Sequence, residues 1–349
     1  MSASVASVGS IEMASVSSVV RTDTGSRRLA LLDTARVVAA MGIVWVHAAT
    51  SATGVLFQPI GTFGVPFYTF IAVLFMARSL TRDNARTLGQ YTRSRFFRIY
   101  TPFLFWSAVY MAMGDAKAIA SHQSIPHFDW AIFYAGGFEH LWFLPFLMIV
   151  TIAGAVIVRA VEHRSRARAA ATLILLALGG AACFAQEPAW IGRRSDDLYF
   201  WRFAFRALPT VFWSIALALL TVFNGKLPRS TPMIAVGGAL LFASALILEG
   251  LLTPLPVLRS MAGLGCLLVA LLPFTSPLLA RLGKLGPHSY GIYLSHIAFL
   301  RVITLLTERL HTPTSLKLDI ASFAVAFIGA TVLSVLLSQS AWTRWTVGE

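Results

Sequence analysis

A histidine inside a long apolar stretch is the first residue of the chain whose type and position could do chemistry. His47 follows Arg36 by eleven residues, which places the two on one helix face roughly 16 Å apart. Ionisable groups at membrane depth are costly and are candidates for function. A buried, neutral His47 could take a proton from a hydroxyl as a general base. An ordinary core histidine bonded to a neighbouring carbonyl is the other interpretation, and the spacing leaves both open.

A second polar cluster, residues 139–145, reads Glu-His-Leu-Trp-Phe-Leu-Pro and opens another apolar stretch. The start of a membrane helix accounts for Glu139, beside the positive helix end, and for Trp142 at the interface. It accounts less well for His140. The cluster therefore keeps a functional interpretation beside the structural one.

A third cluster, residues 289–296, carries Ser289, Tyr293 and His296 at spacings of four and three. These spacings place the three side chains on one face of an otherwise apolar helix. A polar stripe of this kind is typical of a helix that lines a bundle interior or a cavity.

Basic residues form a fourth cluster before another apolar stretch, with Arg93, Arg95 and Arg98 close together. Anchoring of a membrane helix on its cytoplasmic side accounts for such residues. On charge alone this anchoring is the favoured interpretation, and a contact with the phosphates of an anionic donor such as coenzyme A is the alternative.

The elements that must position these residues follow from composition. Of 349 residues, 57% are hydrophobic and only 12% are charged, and the mean hydropathy is +0.72. A soluble domain has about 25% charged residues. The composition excludes a soluble enzyme, a disordered regulator and a disulfide scaffold. The net charge of +13 does not indicate nucleic-acid binding, because the basic residues lie between apolar runs and form no patch.

Apolar runs of spanning length predict an all-α, polytopic membrane protein with ten transmembrane helices. With the N-terminus inside, about two thirds of the 28 Lys and Arg residues fall in cytoplasmic segments, so we expect both termini in the cytoplasm. The predicted spans are 37–57, 60–80, 97–114, 140–159, 169–186, 203–223, 232–250, 255–274, 289–307 and 319–340.

The membrane domain is expected to cover residues 29–343. Residues 1–28, rich in Ser, Val and Ala, are predicted to form a disordered cytoplasmic tail, and residues 344–349 a short cytoplasmic tail. No phosphate-cradling loop, GxSxG elbow or metal-ligand spacing occurs, so no metal site is predicted.

Taken together, the polar clusters resemble the signatures of the acyltransferase-3 family of integral membrane acyltransferases. The resemblance rests on Leu-Asp-Thr-Ala-Arg at 32–36 followed by His47, on His-Leu-Trp-Phe-Leu-Pro at 140–145, and on Ser-Tyr-Gly-Ile-Tyr-Leu-Ser-His at 289–296. The arginine-rich entry to the third span, which ends Arg-Ile-Tyr-Thr-Pro at 98–102, also fits. The matches occur in family order.

The resemblance implies a ten-helix enzyme of the bacterial inner membrane that acylates carbohydrate hydroxyls of surface glycans, exopolysaccharides or lipid-linked glycans. Acetyl-CoA in the cytoplasm is the expected donor, with no permanently bound cofactor. The site residues that the resemblance implies are His47, Glu139 and His140 for catalysis, Arg36, Arg95 and Arg98 for the donor, and Trp142, Ser289, Tyr290, Tyr293 and His296 for the substrate cavity.

Two other functions use the same buried polar groups. A ten-helix permease or flippase would pass a glycan or small molecule along them. A non-catalytic membrane subunit of a polysaccharide synthase would need them for assembly. Consumption of the thioester distinguishes an acyltransferase from both.

Overall fold

The computed structural model describes residues 29–82, 86–125, 129–186, 199–222, 226–252 and 255–348. The tail predicted at residues 1–28 lies outside the described residues. The described residues fold into helices joined by short turns. The α-helices are α1 Ala30–Ala48, α2 Ala52–Leu56, α3 Gly64–Thr81, α4 Leu88–Arg95, α5 Thr101–Ala120, α6 Phe143–Val161, α7 Ser165–Phe184, α8 Tyr199–Arg206, α9 Leu208–Thr221, α10 Pro232–Leu251, α11 Pro256–Ala270, α12 Pro277–Leu282, α13 Ser289–Arg309 and α14 Leu316–Gln339.

A multi-span helical membrane protein is confirmed. Seven helical segments of the described chain are long and apolar enough to cross a membrane, and the pair α8 and α9, bent by 46°, makes an eighth if it forms one span. The bend falls just before Pro209, which supplies no N–H for the helix. Helices α5 and α11 occupy the other two predicted positions, but neither is among the seven, and α11 has only 15 residues. The count of ten spans and the cytoplasmic termini stay predictions.

The predicted boundaries of the first span are wrong by several residues. Helix α1 ends at Ala48, not near residue 57. The Gln58 side chain donates to the carbonyls of Val46 and Ala49 at 3.1 Å each, which satisfies the end of α1 and turns the chain back. Hydropathy does not register such a cap, because the residues after it are also apolar. His47 therefore lies in the last turn of α1 rather than in its middle.

Helix α1 is central, and it packs against α3, α11, α12, α13 and α14. Its buried face carries small side chains, including Ala39, Ala40 and Ala48, which allow close approach of its neighbours. At Gly42 the backbone meets Gly61 so closely that a Cβ on Gly61 would overlap the Gly42 carbonyl oxygen. The turn after α1 is thereby held against the helix that carries His47.

The other end of α1 is held by the 3₁₀-helix Gly283–His288, which leads into α13. A Cβ on Gly286 would lie 2.7 Å from Asp33 Cβ, so only glycine permits this approach. Thr34 Oγ1 donates to the Leu279 carbonyl at 3.0 Å. These contacts place the start of α13 beside the first turns of α1, and therefore beside Arg36.

Beyond α14, residues 344–347 form a 3₁₀-helix that packs on α5, α13 and α14. Thr346 and Val347 are buried.

The close contact at Gly61 predicts a stability effect. Gly61→Ala should lower the free energy of unfolding by about 1–3 kcal/mol, because the turn must move away from α1. Thermal unfolding in detergent measures it. Gly237→Ala on α10 is the control, since no atom lies within 4 Å of the added Cβ, and there the helix should be unchanged or slightly more stable. Equal stability of the two variants would contradict the packing described.

Candidate active site

Three histidines that are far apart in the sequence meet inside the bundle. His47 comes from α1, His140 from the 3₁₀-helix Glu139–Trp142, and His296 from α13. The ring centroids of His47 and His296 are 5.4 Å apart, those of His140 and His296 5.2 Å, and those of His47 and His140 6.2 Å. We call these residues the histidine cluster. No group of three donors in the described part of the chain has the geometry to hold a metal ion.

The hydrogen bonds of His296 assign its tautomer. Nδ1 lies 2.8 Å from the Tyr293 carbonyl oxygen and 3.2 Å from that of Ile292. Carbonyl oxygens only accept hydrogen bonds, so Nδ1 carries the proton and donates. In the neutral ring, Nε2 then has its lone pair available. That nitrogen is fully buried and has no hydrogen-bond partner among the described residues.

His140 is buried as well, and neither of its ring nitrogens has a partner within the described structure. Aromatic rings surround it: Tyr110 lies edge-on at 5.2 Å and Tyr293 at 5.5 Å. The Tyr293 hydroxyl donates to the main-chain carbonyl of His140. The cluster therefore presents imidazole nitrogens in an apolar, aromatic environment, where an unpaired polar atom is costly.

A cavity of about 190 Å³ lies against His47 and His140, and we call it the histidine cavity. Trp142 is stacked on Phe203 in its wall, with ring centroids 5.3 Å apart. Its charged lining residues are Glu139, Arg206 and Arg259. The lining residues other than the two histidines are Ile43, Val46, Gly61, Thr62, Val65, Pro66, Glu139, Trp142, Phe203, Arg206, Ala207, Thr210, Pro256, Arg259, Ser260 and Tyr293.

A larger cavity of about 570 Å³, the arginine cavity, is bordered by the first turns of α1 and of α13. Six arginines line it, and guanidinium groups are well suited to binding phosphate oxygens. One of them, Arg36, also pairs with the Asp33 carboxylate at 3.3 Å. Ser289, Tyr290 and Tyr293 continue its wall along α13. The six are Arg36, Arg78, Arg82, Arg86, Arg95 and Arg98.

Tyr293 borders both cavities. It lies one turn before His296 on α13, and its ring centroid is 6.2 Å from that of His296. The two cavities thus approach each other at the histidine cluster. An anionic ligand in one and a neutral ligand in the other would have their ends near the same imidazole nitrogens.

The predicted residues divide between these places. Arg36, Arg95 and Arg98 all line the arginine cavity, where Arg95 also lies over the Tyr91 ring at 4.9 Å. The stripe predicted on α13 extends over two places in the bundle. Ser289 and Tyr290 line the arginine cavity, whereas His296 belongs to the histidine cluster.

The adjacent residues Glu139 and His140 differ in their exposure. Glu139 is exposed where it lines the histidine cavity, whereas His140 is buried in the cluster and Trp142 is buried in the cavity wall. A 3₁₀-helix has about three residues per turn, so adjacent side chains leave it about 120° apart.

Sequence reasoning missed three of the six arginines, namely Arg78, Arg82 and Arg86. Their spacing of four residues was a usable signal, but membrane anchoring already explained basic residues at that position. It also left Glu249 and Arg259 without a role. Glu249 is buried, bound to Arg259 Nε at 2.6 Å and to Thr62 Oγ1 at 2.7 Å, beside the histidine cavity.

Asp319, which the sequence analysis also missed, holds the segment that follows α1. Its buried carboxylate accepts hydrogen bonds from the backbone N–H and the hydroxyl of both Thr50 and Ser51, at 2.5–3.1 Å. Thr50 follows His47 by three residues. A buried acid in an apolar helix was a signal that the sequence did offer.

Loss of the Asp319 carboxylate should loosen the end of α1. Asp319→Asn is expected to lower the free energy of unfolding in detergent by about 1.5–3 kcal/mol, because the amide keeps one acceptor oxygen and faces N–H groups with its own NH₂. Asp115→Asn on α5 is the matched control, since Asp115 makes no hydrogen bond or ion pair within the described residues. An unchanged melting temperature for Asp319→Asn would show that the carboxylate does not hold α1.

A search of curated proteins and a search of solved structures each found no match. The family model described as acyltransferase domain matches residues 29–339, nearly the whole described chain. The chain belongs to the acyltransferase-3 family and is a membrane acyltransferase.

Proposed function

We propose that the protein transfers an acetyl group from cytoplasmic acetyl-CoA to a hydroxyl of a surface or exported polysaccharide or glycolipid, in the bacterial inner membrane. The observation that carries the proposal is that an arginine-lined cavity and a cavity with an aromatic wall meet at Tyr293, beside three histidines of which His140 and His296 are buried. Both termini are then in the cytoplasm, and the arginine cavity opens to the cytoplasm.

The arginine cavity suits an acyl-CoA. Such a donor carries its phosphates at one end and its thioester at the end of a long, uncharged arm. A guanidinium group can donate two parallel hydrogen bonds to the oxygens of one phosphate, and six arginines line this cavity. The arm would follow Ser289 and Tyr290 toward Tyr293. From Arg36 to His47 the rise along α1 is roughly 16 Å, a distance that an extended arm has to cover.

The histidine cavity suits a sugar. Carbohydrate sites combine an aromatic wall with a few polar groups that fix orientation. Here Trp142 supplies the aromatic wall, and the Glu139 carboxylate supplies an acceptor for sugar hydroxyls. A hydroxyl directed at the inner end of this cavity meets His47 and His140.

Acyl transfer at this point needs one group that accepts a proton from the acceptor hydroxyl and returns it to the leaving thiolate. The acceptor oxygen bonds to the thioester carbonyl carbon as His47 takes the hydroxyl proton, and the carbon–sulfur bond then breaks. The His47 imidazolium returns that proton to the departing thiolate, so the products are the ester and free CoA. His47 is the candidate for this role because it alone of the cluster lines the histidine cavity with appreciable exposure.

His296 is proposed to position His47. Its Nδ1–H is held by two carbonyls, which leaves Nε2 as a hydrogen-bond acceptor. The ring centroids are 5.4 Å apart and His296 Nε2 has no partner in the described structure, so a turn of the His47 ring would bring one of its N–H groups to that nitrogen. An N–H of His47 donated to this nitrogen would leave the other His47 nitrogen unprotonated and directed at the acceptor.

The proposed function is tested by the O-acyl content of the host's surface glycan. Strains with the intact gene, with a deletion, and with His47→Gln at equal membrane levels are compared. Loss of acyl groups with continued glycan export supports the proposal. Unchanged acyl content, or loss of the glycan itself, would favour transport or assembly instead.

The pairing of His47 with His296 predicts non-additive kinetics. His47→Gln should lower kcat for CoA release by about 10²–10⁴-fold, and His296→Gln by less. The double variant should be no slower than His47→Gln, because the two residues act as one unit. His163→Gln, at an exposed position after α6, is the control. Losses that multiply in the double variant would refute the pairing.

The arginine cavity predicts a donor-specific defect. Arg95→Gln or Arg98→Gln should raise the KM for acetyl-CoA about tenfold, with kcat little changed, because a charge-assisted contact to phosphate is lost. Arg309→Gln, exposed at the end of α13, is the matched control. Steady-state rates at varied donor concentration measure the effect. A raised KM for the acceptor instead would mean that the arginine cavity holds the acceptor.

A further inference from the structure

The chain turns back into the bundle after α14. Thr343 Oγ1 donates to the Leu337 carbonyl at 2.7 Å, and the backbone N–H groups of Thr343 and Arg344 donate to Ser340 at 3.2 and 2.9 Å. These bonds reverse the chain within four residues. The 3₁₀-helix Arg344–Val347 follows, and we call residues 343–348 the return segment.

Helix α5 anchors the return segment. The buried Trp106 donates its indole N–H to the Thr346 carbonyl at 3.0 Å. The neighbouring Phe105 meets Trp345 edge-on, with ring centroids 5.3 Å apart. The segment is thus fixed by one buried hydrogen bond and by aromatic packing, not only by its connection to α14.

The end of the return segment borders the arginine cavity. Val347 and Gly348 are both in its wall. Gly348 has φ of +77°, the left-handed region that favours glycine. A Cβ there would lie 2.6 Å from Tyr290 Cε1 and 2.9 Å from the main-chain oxygen of Arg98. Gly348 therefore packs tightly between the main chain of Arg98 and the ring of Tyr290, two residues of the arginine cavity.

We propose that the return segment is a wall of the donor site that holds Arg98 and Tyr290 in place and so sets the affinity for the CoA part of the donor. The inference rests on the proposed function, since it takes the arginine cavity as the acyl-CoA site. The segment lies beyond residue 339, where the match to the family model ends.

Position and chemistry favour the CoA part over the acyl group. The return segment touches the cavity near Arg98 and the first turn of α13, whereas the histidine cluster lies about 9 Å farther along that helix, six residues from Tyr290 to His296. A change in the segment would move the guanidinium and phenol that meet the donor's phosphates and arm. It would leave the histidines in place.

Two variants test the wall. Gly348→Ala pushes the segment away from Tyr290 and Arg98, and Trp106→Phe removes the N–H that anchors Thr346 while keeping a ring. Each should raise the KM for acetyl-CoA about tenfold and weaken binding of CoA itself by a similar factor. The kcat at saturating donor and the KM for the acceptor should stay within about twofold of wild type. Trp106→Phe keeps the test valid if Gly348→Ala does not fold.

Gly237→Ala, in open space on α10, is the control for both variants. A lowered kcat with an unchanged donor KM, or donor kinetics equal to wild type, would overturn the inference. If Arg95→Gln still weakens CoA binding in that case, the proposed function stands without it. If the wild-type protein releases no CoA from acetyl-CoA and does not bind CoA, both are overturned.

Discussion

Unpaired imidazole nitrogens inside an apolar bundle are the constraint on which the rest of this structure depends. Both ring nitrogens of His140 and Nε2 of His296 are buried without a partner in the described chain. Each such atom costs on the order of 1–3 kcal/mol, so the surrounding packing must offset it. Small residues let the neighbours of α1 approach closely. At the start of α1, Gly286 packs against Asp33, and after its end, Asp319 accepts hydrogen bonds from Thr50. Local cost at a functional site is offset by good packing elsewhere.

The arginines of the arginine cavity lie apart from these nitrogens, whereas Arg206 and Arg259 line the histidine cavity. The six arginines face their own cavity, and Tyr290 and Tyr293 lie between them and the histidine cluster along α13. A guanidinium beside a histidine would disfavour the imidazolium that a general base must form. The spatial order of anion site, tyrosines and histidines therefore serves two needs at once, phosphate binding and proton transfer.

The sequence predicted the class, the apolar runs and most of the polar clusters, because lipid imposes strong constraints on composition and helix length. It misplaced the end of α1, since the cap by Gln58 is a tertiary contact. It also predicted one face for Ser289 and His296. Their separation of seven positions amounts to about 10 Å of rise, enough for one helix face to pass from the arginine cavity to the histidine cluster.

Other features could not be read from the sequence at all. The meeting of His47, His140 and His296 depends on how α1, the 3₁₀-helix Glu139–Trp142 and α13 pack, which no local pattern encodes. The burial of Val347 in the cavity wall follows from a chain reversal after α14, and a short, polar-flanked stretch of that kind is typical of an exposed tail. Asp319 did carry a signal, as a lone acid in an apolar run.

In the proposed reaction, donor and acceptor occupy separate cavities and only the acyl group passes between them. Proteoliposomes with oriented protein test it most directly, with labelled acetyl-CoA on the side of the arginine cavity and a soluble glycan acceptor on the other. If the two cavities have these roles, the label appears on the acceptor and all released CoA stays on the donor side. Acylation only when donor and acceptor share one side would contradict it.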